Sequence, residues 1–156
     1  MISLDLPSGE TFRLESVVFD YNGTLACDGC IEEGVGERLR QLSERVKVYV
    51  LTADTFGKAK EECAGLPVSL KVVSQSDGMA DKARFVRDLG AGKTVCIGNG
   101  INDSLMMAEC ALGIVVLGRE GCSARTLIAA DIAVNNIRDA IDLLLNPKRL
   151  VATLRR

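Results

Sequence analysis

Residues 17–25 read VVFDYNGTL and combine a continuous apolar run with an abrupt polar turn. The run Val17-Val18-Phe19 has no alternating polar positions, which is typical of a strand buried on both faces of a parallel sheet. It ends at Asp20, and Asn22-Gly23 supplies a turn directly afterwards. On its own, an aspartate in such a turn is most simply a turn former. Whether Asp20 has a functional role therefore depends on which residues stand at the ends of the other strands.

Helices and strands are predicted to alternate outward from this strand. The apolar spacing predicts helices over residues 33–45, 55–64, 80–89, 103–110 and 123–129, and strands over residues 46–52, 68–73, 94–97, 112–117 and 132–134. Two further helices, 137–145 and 147–154, close the chain, with Asn146 as a cap and Pro147 at the first helical position. Residues 2–14 alternate around Pro7-Ser8-Gly9 and predict a β-hairpin.

Strands separated by helices of this length form right-handed crossovers, which make the strands parallel and place helices on both faces of the sheet. The sequence therefore predicts an α/β fold: one doubly wound, Rossmann-like domain over residues 1–156, with an N-terminal hairpin. In such sheets ligands bind outside the carboxyl ends of the strands.

The composition excludes several function classes. The chain has no histidine, which removes Ser-His-Asp triads and imidazole metal ligands. The net charge of −2 gives no excess of positive charge that would bind the phosphate backbone of a nucleic acid. No apolar run approaches the ~18 residues that cross a bilayer, and Asp5, Pro7 and Glu10 interrupt the region where a signal peptide is apolar. We therefore expect a cytoplasmic protein without nucleic-acid or membrane partners.

The six cysteines include one C-x-x-C pair, Cys27 and Cys30. A structural zinc site needs a second pair at similar spacing, and the other cysteines are scattered. In a chain with no signal segment the thiols are expected to be reduced. A surface loop is the favoured interpretation of the pair, and zinc or a redox dithiol is the alternative.

Polar side chains follow three of the predicted strands. Asp20 ends the first, Thr52-Ala53-Asp54 ends the second, and the sequence GNGIND occupies residues 98–103 after a third. Lys82 opens a helix between them, and we expect it to lie exposed in the crevice. Carboxylate and amide oxygens suit Mg²⁺, whereas backbone N–H groups and an ammonium suit a phosphoryl group. The alternative is that these residues only cap turns and helices.

The order of these motifs resembles that of the haloacid dehalogenase (HAD) superfamily. DYNGTL at residues 20–25, Thr52, Lys82 and GNGIND at residues 98–103 match its four motifs in sequence order. LTAD at residues 51–54, the helix that begins near Lys82, and GNGIND also resemble the phosphorylation domain of P-type ATPases. The chain is most similar to the small group of soluble P-type-ATPase-like phosphatases, over nearly its whole length.

The resemblance implies a phosphatase in which Asp20 attacks phosphorus and forms an aspartyl-phosphate that water then hydrolyses. Its phosphoryl-binding groups would be the backbone N–H groups of Tyr21, Asn22 and Ala53, the Thr52 hydroxyl and the Lys82 ammonium. Mg²⁺ would be the cofactor, held by the Asp20 carboxylate, the Asn22 backbone carbonyl, Asn99 and Asp103.

Two residues depart from the usual pattern of the superfamily. Asn22 stands where the general acid/base aspartate is normally found, and an amide cannot exchange a proton near neutral pH. P-type ATPases carry Thr at this position, so the substitution fits slow hydrolysis of the aspartyl-phosphate. Asn99 stands where many members have a metal-binding aspartate, and the missing charge should weaken Mg²⁺ binding.

The spacing between motifs leaves no room for a cap domain. About 30 residues separate Asp20 from Thr52, and the interval to Lys82 is as short. An open site favours a bulky substrate, such as a phosphoprotein, or a phosphorylated small molecule with a cap supplied by another subunit of a homo-oligomer. Apolar faces of the two closing helices are most simply core, with a subunit interface as the alternative.

A second function class remains open at this point. The same residues could form a non-catalytic module that binds phosphate or a phosphoprotein and has lost its acid/base group. Turnover of a phosphate ester, compared with an Asp20→Asn control, separates the two hypotheses.

Overall fold

A parallel sheet sets the frame of the fold in this computed structural model, which describes residues 1–54 and 57–156. The strands are β1 (Ile2–Asp5), β2 (Thr11–Leu14), β3 (Ser16–Asp20), β4 (Ala26–Cys27), β5 (Cys30–Ile31), β6 (Lys47–Thr52), β7 (Ser69–Val72), β8 (Thr94–Gly98), β9 (Leu112–Val116) and β10 (Ile132–Val134). The helices are α1 (Val35–Ser43), α2 (Lys58–Glu62), α3 (Gly78–Leu89), α4 (Ser104–Glu109), α5 (Ala124–Ala129), α6 (Ile137–Leu145) and α7 (Pro147–Leu154).

The main sheet has the strand order β10-β9-β8-β3-β6-β7, and all of its neighbouring strands are parallel. The chain first builds outward from β3 through β6 to β7, then crosses to the other side of β3 and adds β8, β9 and β10. The strand order therefore reverses at β3, which places a crevice beside its carboxyl end. The predicted doubly wound fold is confirmed, and so is the N-terminal hairpin, in which β1 and β2 pair antiparallel.

The apolar run in β3 packs into two cores because successive side chains of a strand point to opposite faces. Val17 and Phe19 belong to the core beneath α1 and α6, whereas Val18 belongs to the core beneath α3 and α4. The apolar faces of α6 and α7 also pack into the first of these cores. Their interpretation as core helices is therefore confirmed.

Apart from α2, the boundaries of the predicted helices and main-sheet strands lie within two residues of those predicted, and those of β10, α6 and α7 agree fully. The helix predicted over residues 55–64 is α2 in its described part, and Thr55 and Phe56 lie outside the described residues. Asn146 occupies the N-cap position of α7 and Pro147 follows it, as predicted, but the cap is not made by the side chain. Its side chain makes no capping bond to α7 and instead donates from Nδ2 to the carbonyl of Asp142 at 2.8 Å, which closes the end of α6.

A small hairpin, β4–β5, was not predicted and lies where the sequence suggested a surface loop. Cys27 and Cys30 are directly opposite each other in it. Both turn residues have positive φ, 51° for Asp28 and 78° for Gly29, as in a two-residue type I′ turn. The Asp-Gly pair was an available signal, but strands of two residues are too short to show a period.

The sequence predicts neither a cap domain nor a membrane-spanning helix. Between β3 and β6 the chain holds the β4–β5 hairpin and α1, and between β6 and α3 its described residues hold α2 and β7. Neither interval contains an inserted cap domain in the described residues. Among the helices of residues 1–54 and 57–156, none is both long and apolar enough to cross a membrane.

Candidate active site

A buried lysine joins two carboxylates at the carboxyl end of the sheet. Lys82 Nζ donates to Oδ1 of Asp20 at 2.6 Å and to Oδ1 of Asp103 at 2.7 Å. Asp20 is the last residue of β3, and Asp103 follows β8 in a short 3₁₀ turn. Lys82 is 1% exposed because it lies on the buried face of α3 with Ala83 and Val86. The expectation of an exposed lysine is therefore wrong.

Burial and neighbouring charges both shift the pKa values of Asp20 and Lys82. Burial, reinforced by the charge of Asp103, raises the pKa of Asp20 to about 7, although Lys82 and Thr24 act to lower it. Burial also opposes the charge on Lys82, but the two carboxylates outweigh it and raise the pKa of Lys82. When all three groups are ionised the cluster carries one net negative charge, which a bound cation would balance.

Asp103 holds the loop after β8 in place. Its Oδ2 accepts hydrogen bonds from the backbone N–H groups of Asn99 at 3.0 Å and Gly100 at 2.9 Å. A Cβ on Gly98 would lie 2.6 Å from Cγ of Asp103, so this approach requires a glycine. Both oxygens of Asp103 have protein partners and the residue is fully buried. In this arrangement Asp103 positions Lys82 and the loop, and its role as a metal ligand stays a prediction.

Asn99 and Asp20 converge on one hydroxyl group, that of Thr24. Thr24 Oγ1 lies 3.3 Å from Oδ2 of Asp20 and 3.2 Å from Oδ1 of Asn99. The hydroxyl has one hydrogen, so it can donate to only one of these oxygens at a time. Thr24 was missed as a site residue, although it lies within the quoted DYNGTL motif. Gly23, with φ of 79°, permits the approach, since a Cβ there would lie 2.4 Å from Nδ2 of Asn99.

The oxygen donors fit a hard divalent cation such as Mg²⁺. Oδ2 of Asp20 and Oδ1 of Asn99 face the same hydroxyl, and the Asn22 carbonyl takes part in no hydrogen bond recorded between described residues. A carboxylate, an amide oxygen and a backbone carbonyl are typical ligands of this ion, with waters completing the shell. Asn99 is held in place by its Nδ2, which donates to the carbonyl of Gly121 at 3.0 Å.

Hydrogen-bond donors for a phosphoryl group lie at the ends of β3 and β6. The oxygen of the buried Thr52 hydroxyl accepts from the Asp54 N–H at 3.0 Å, which leaves the hydroxyl hydrogen to donate. The N–H groups of Asn22 and Ala53 make no hydrogen bond recorded within the described residues. These three groups therefore have hydrogens that could be donated to a phosphoryl group.

Tyr21 differs from its prediction. Its N–H donates to the carbonyl of Leu51 at 3.1 Å, so it is already used in joining β3 to β6 and is not open to a phosphoryl group. Its buried side chain has a structural role instead. The hydroxyl donates to the carbonyl of Gly29 at 2.8 Å, which ties the turn of the β4–β5 hairpin to the residue after Asp20.

Asp54 caps the helix that follows β6, as the helix-cap interpretation predicted. Its Oδ2 accepts from the N–H of Ala59, in the first turn of α2, at 2.7 Å. This bond fixes the start of α2 relative to the end of β6, where Thr52 lies.

Sequence comparison finds relatives among archaeal proteins, while no protein-family profile matches the chain. An uncharacterised protein of Methanocaldococcus jannaschii is 51% identical over 63 residues, which make up 40% of this chain and 68% of that protein. A soluble P-type ATPase-like phosphatase of the same archaeon is 28% identical over 138 residues, or 86% of this chain. This chain spans 50% of the length of that phosphatase.

Solved structures share the fold over nearly its whole extent. A 3-deoxy-D-manno-octulosonate 8-phosphate phosphatase from Moraxella catarrhalis, solved with magnesium, phosphate and its sugar acid, matches with a TM-score of 0.71 and 19% identity, over 91% of this chain and 94% of that one. A HAD family hydrolase from Streptomyces avermitilis matches with a TM-score of 0.70 and 17% identity, over 93% and 90% of the two chains. At these identities the matches establish the architecture.

Proposed function

We propose that this chain, which belongs to the haloacid dehalogenase superfamily of phosphatases, hydrolyses phosphoric monoesters or acyl phosphates through an aspartyl-phosphate on Asp20. The observation that carries the proposal is the position of Asp20. Its carboxylate is buried, paired with Lys82 and within hydrogen-bond distance of Thr24. At the same strand end, the N–H groups of Asn22 and Ala53 have no hydrogen-bond partner among the described residues.

In the first half-reaction, a carboxylate oxygen of Asp20 attacks phosphorus. The bond from phosphorus to the leaving oxygen breaks, and the leaving oxygen takes the electron pair. Lys82, the Thr52 hydroxyl and the N–H groups of Asn22 and Ala53 stabilise the negative charge on the phosphoryl oxygens. An alcohol leaving group takes its proton from water, because Asn22 cannot supply one.

In the second half-reaction, water attacks the phosphorus of the aspartyl-phosphate. The bond from phosphorus to the Asp20 oxygen breaks, which restores the carboxylate and releases inorganic phosphate and a proton. A carboxylate beside the water would accept that proton, whereas Asn22 can only orient the water through a hydrogen bond. We therefore expect this step to be slow, so that the phosphoenzyme accumulates.

Mg²⁺ is the cofactor that this donor set suits. Asp20, the Asn22 carbonyl and Asn99 would hold it, and the ion would neutralise charge on the phosphoryl group. Asp103 and Lys82 contribute by fixing the loop and the nucleophile on which those ligands depend.

The test is phosphoenzyme formation from acetyl phosphate with Mg²⁺, followed by acid quenching and treatment with hydroxylamine. We expect wild type to carry an acid-stable, hydroxylamine-labile phosphoryl group and to release phosphate slowly, and Asp20→Asn to do neither. Asp88→Asn, which changes an exposed aspartate of α3, is the matched control and should behave as wild type. Absence of both signals in folded wild type would overturn the proposal and favour the non-catalytic phosphate-binding module.

A further inference from the structure

A depression of about 390 Å³ continues outward from the proposed phosphoryl site. Asn22 and Ala53 line it, and their N–H groups are two of the proposed phosphoryl donors. In an in-line displacement the leaving group departs from the side of phosphorus opposite the attacking oxygen. Since Asp20 would attack from the end of β3, the leaving group would extend away from the sheet.

Lys58 forms one wall of the depression. It is the first residue of α2, and its stem lies against the turn of the β4–β5 hairpin. A Cβ on Gly29 would lie 3.2 Å from Cδ of Lys58 and 3.7 Å from its Nζ. Gly29 is itself held by the Tyr21 hydroxyl. The hairpin turn therefore supports the lysine stem beside the site.

Lys58 is exposed at the wall of this depression. No salt bridge between residues of the described chain involves Lys58. Asp54 also lines the depression, and its Oδ2 accepts from the Ala59 N–H in the first turn of α2. On another side Gln75 reaches across and donates to the carbonyl of Ala53 at 3.4 Å.

We infer that this depression receives the leaving group and that Lys58 selects leaving groups carrying an anion. The substrate class is a small phosphate ester whose alcohol bears a carboxylate or a second phosphate. The Lys58 ammonium would pair with that anion while Asn22, Ala53 and Lys82 hold the phosphoryl group. This inference rests on the proposed function, because it assigns the substrate of the same site.

Turnover of matched esters tests the selection. The substrates are 2-phosphoglycolate, 2-hydroxyethyl phosphate, which has an uncharged group at the corresponding position, and a bisphosphate of ethylene glycol. We expect wild type to favour the two anionic esters in kcat/KM by about tenfold, as one charge-assisted hydrogen bond allows. Lys58→Met should remove this preference and Lys58→Arg should retain it. Lys60→Met, an exposed lysine of α2 that does not line the depression, is the matched control.

Binding of non-hydrolysable analogues separates failure of this inference from failure of the proposed function. Phosphonoacetate and 2-hydroxyethylphosphonate are titrated calorimetrically into wild type and Lys58→Met in the presence of Mg²⁺. A preference for phosphonoacetate that Lys58→Met abolishes supports the assignment of Lys58 even if no ester is hydrolysed. Equal binding of the two phosphonates, or a preference that persists in Lys58→Met, overturns the inference whether or not the enzyme turns over acetyl phosphate.

Discussion

Lys82 Nζ lies 2.6 Å from Oδ1 of Asp20, and the side chains are 1% and 9% exposed, respectively. A lysine that is 1% exposed has lost nearly all of its hydration, so its charge persists only because carboxylates replace the water. The same contact fixes the carboxylate of Asp20 at the end of β3. We therefore expect both the stability of the fold and the position of the proposed nucleophile, Asp20, to depend on this ion pair.

Lys82→Met should destabilise the fold as well as remove activity. It leaves Asp20 and Asp103 buried side by side without a counterion, and removal of one partner from a buried ion pair costs about 3–5 kcal/mol. Urea denaturation gives the free energy of unfolding. Lys71→Met, an exposed lysine on β7, is the control and should change it by less than about 0.5 kcal/mol.

A double-mutant cycle checks the cause of the Lys82 effect. Asp20→Asn removes one of the two carboxylates, so it should recover part of the stability lost in Lys82→Met, and the two changes should not be additive. Additive losses would show that Lys82 contributes through packing of its stem rather than through the charge pair.

The fold was predictable because its strongest signals are long apolar runs. The runs in β3, β8 and β9 are fully buried, as their lack of alternation indicated. For the candidate site, the sequence predicts which residues lie near each other at the ends of the strands. It does not predict which of their atoms already take part in hydrogen bonds within the protein. The Tyr21 N–H, already bonded to Leu51, and the burial of Lys82 depend on register and helix rotation. Neither the strand register nor the rotation of α3 can be read from a local sequence pattern.

Asn99→Asp should strengthen Mg²⁺ binding and lower the thermal stability of the metal-free protein. The added carboxylate supplies a charged ligand in place of the amide oxygen. The same change removes the Nδ2 donor, so the Gly121 carbonyl at 3.0 Å would face a carboxylate oxygen. We expect a lower Tm without Mg²⁺, a recovery of Tm with Mg²⁺, and a smaller Kd by calorimetry.

Asn102→Asp adds the same charge three residues further along, at an exposed position of the same loop, and serves as the control. It should leave the Kd for Mg²⁺ nearly unchanged. Equal tightening by both variants would mean that a general charge effect, rather than a ligand at Asn99, is responsible.

Tyr21→Phe should loosen the β4–β5 hairpin. The change removes the hydroxyl that donates to Gly29 at 2.8 Å and retains the ring, so the cost in unfolding free energy should be about 1 kcal/mol. Hydrogen exchange should rise over residues 26–31. Tyr49→Phe, at the only other tyrosine, is the control, and faster exchange at the hairpin in that variant as well would argue against the Tyr21 contact as the cause.

Asn22→Asp should raise steady-state turnover of acetyl phosphate. Acetate leaves without a proton, so for this substrate the missing acid/base group limits mainly hydrolysis of the aspartyl-phosphate. A positioned carboxylate typically supplies about 10²–10⁴-fold in such a step. The variant should therefore release phosphate faster, hold less phosphoenzyme at steady state, and lose rate as pH falls through the pKa of the new carboxyl, since only its ionised form accepts a proton from water. Slower turnover in a folded variant that still binds Mg²⁺ would show that the Asn22 amide itself serves the reaction. It would also overturn our explanation that the proposed aspartyl-phosphate is hydrolysed slowly because Asn22 replaces a carboxylate.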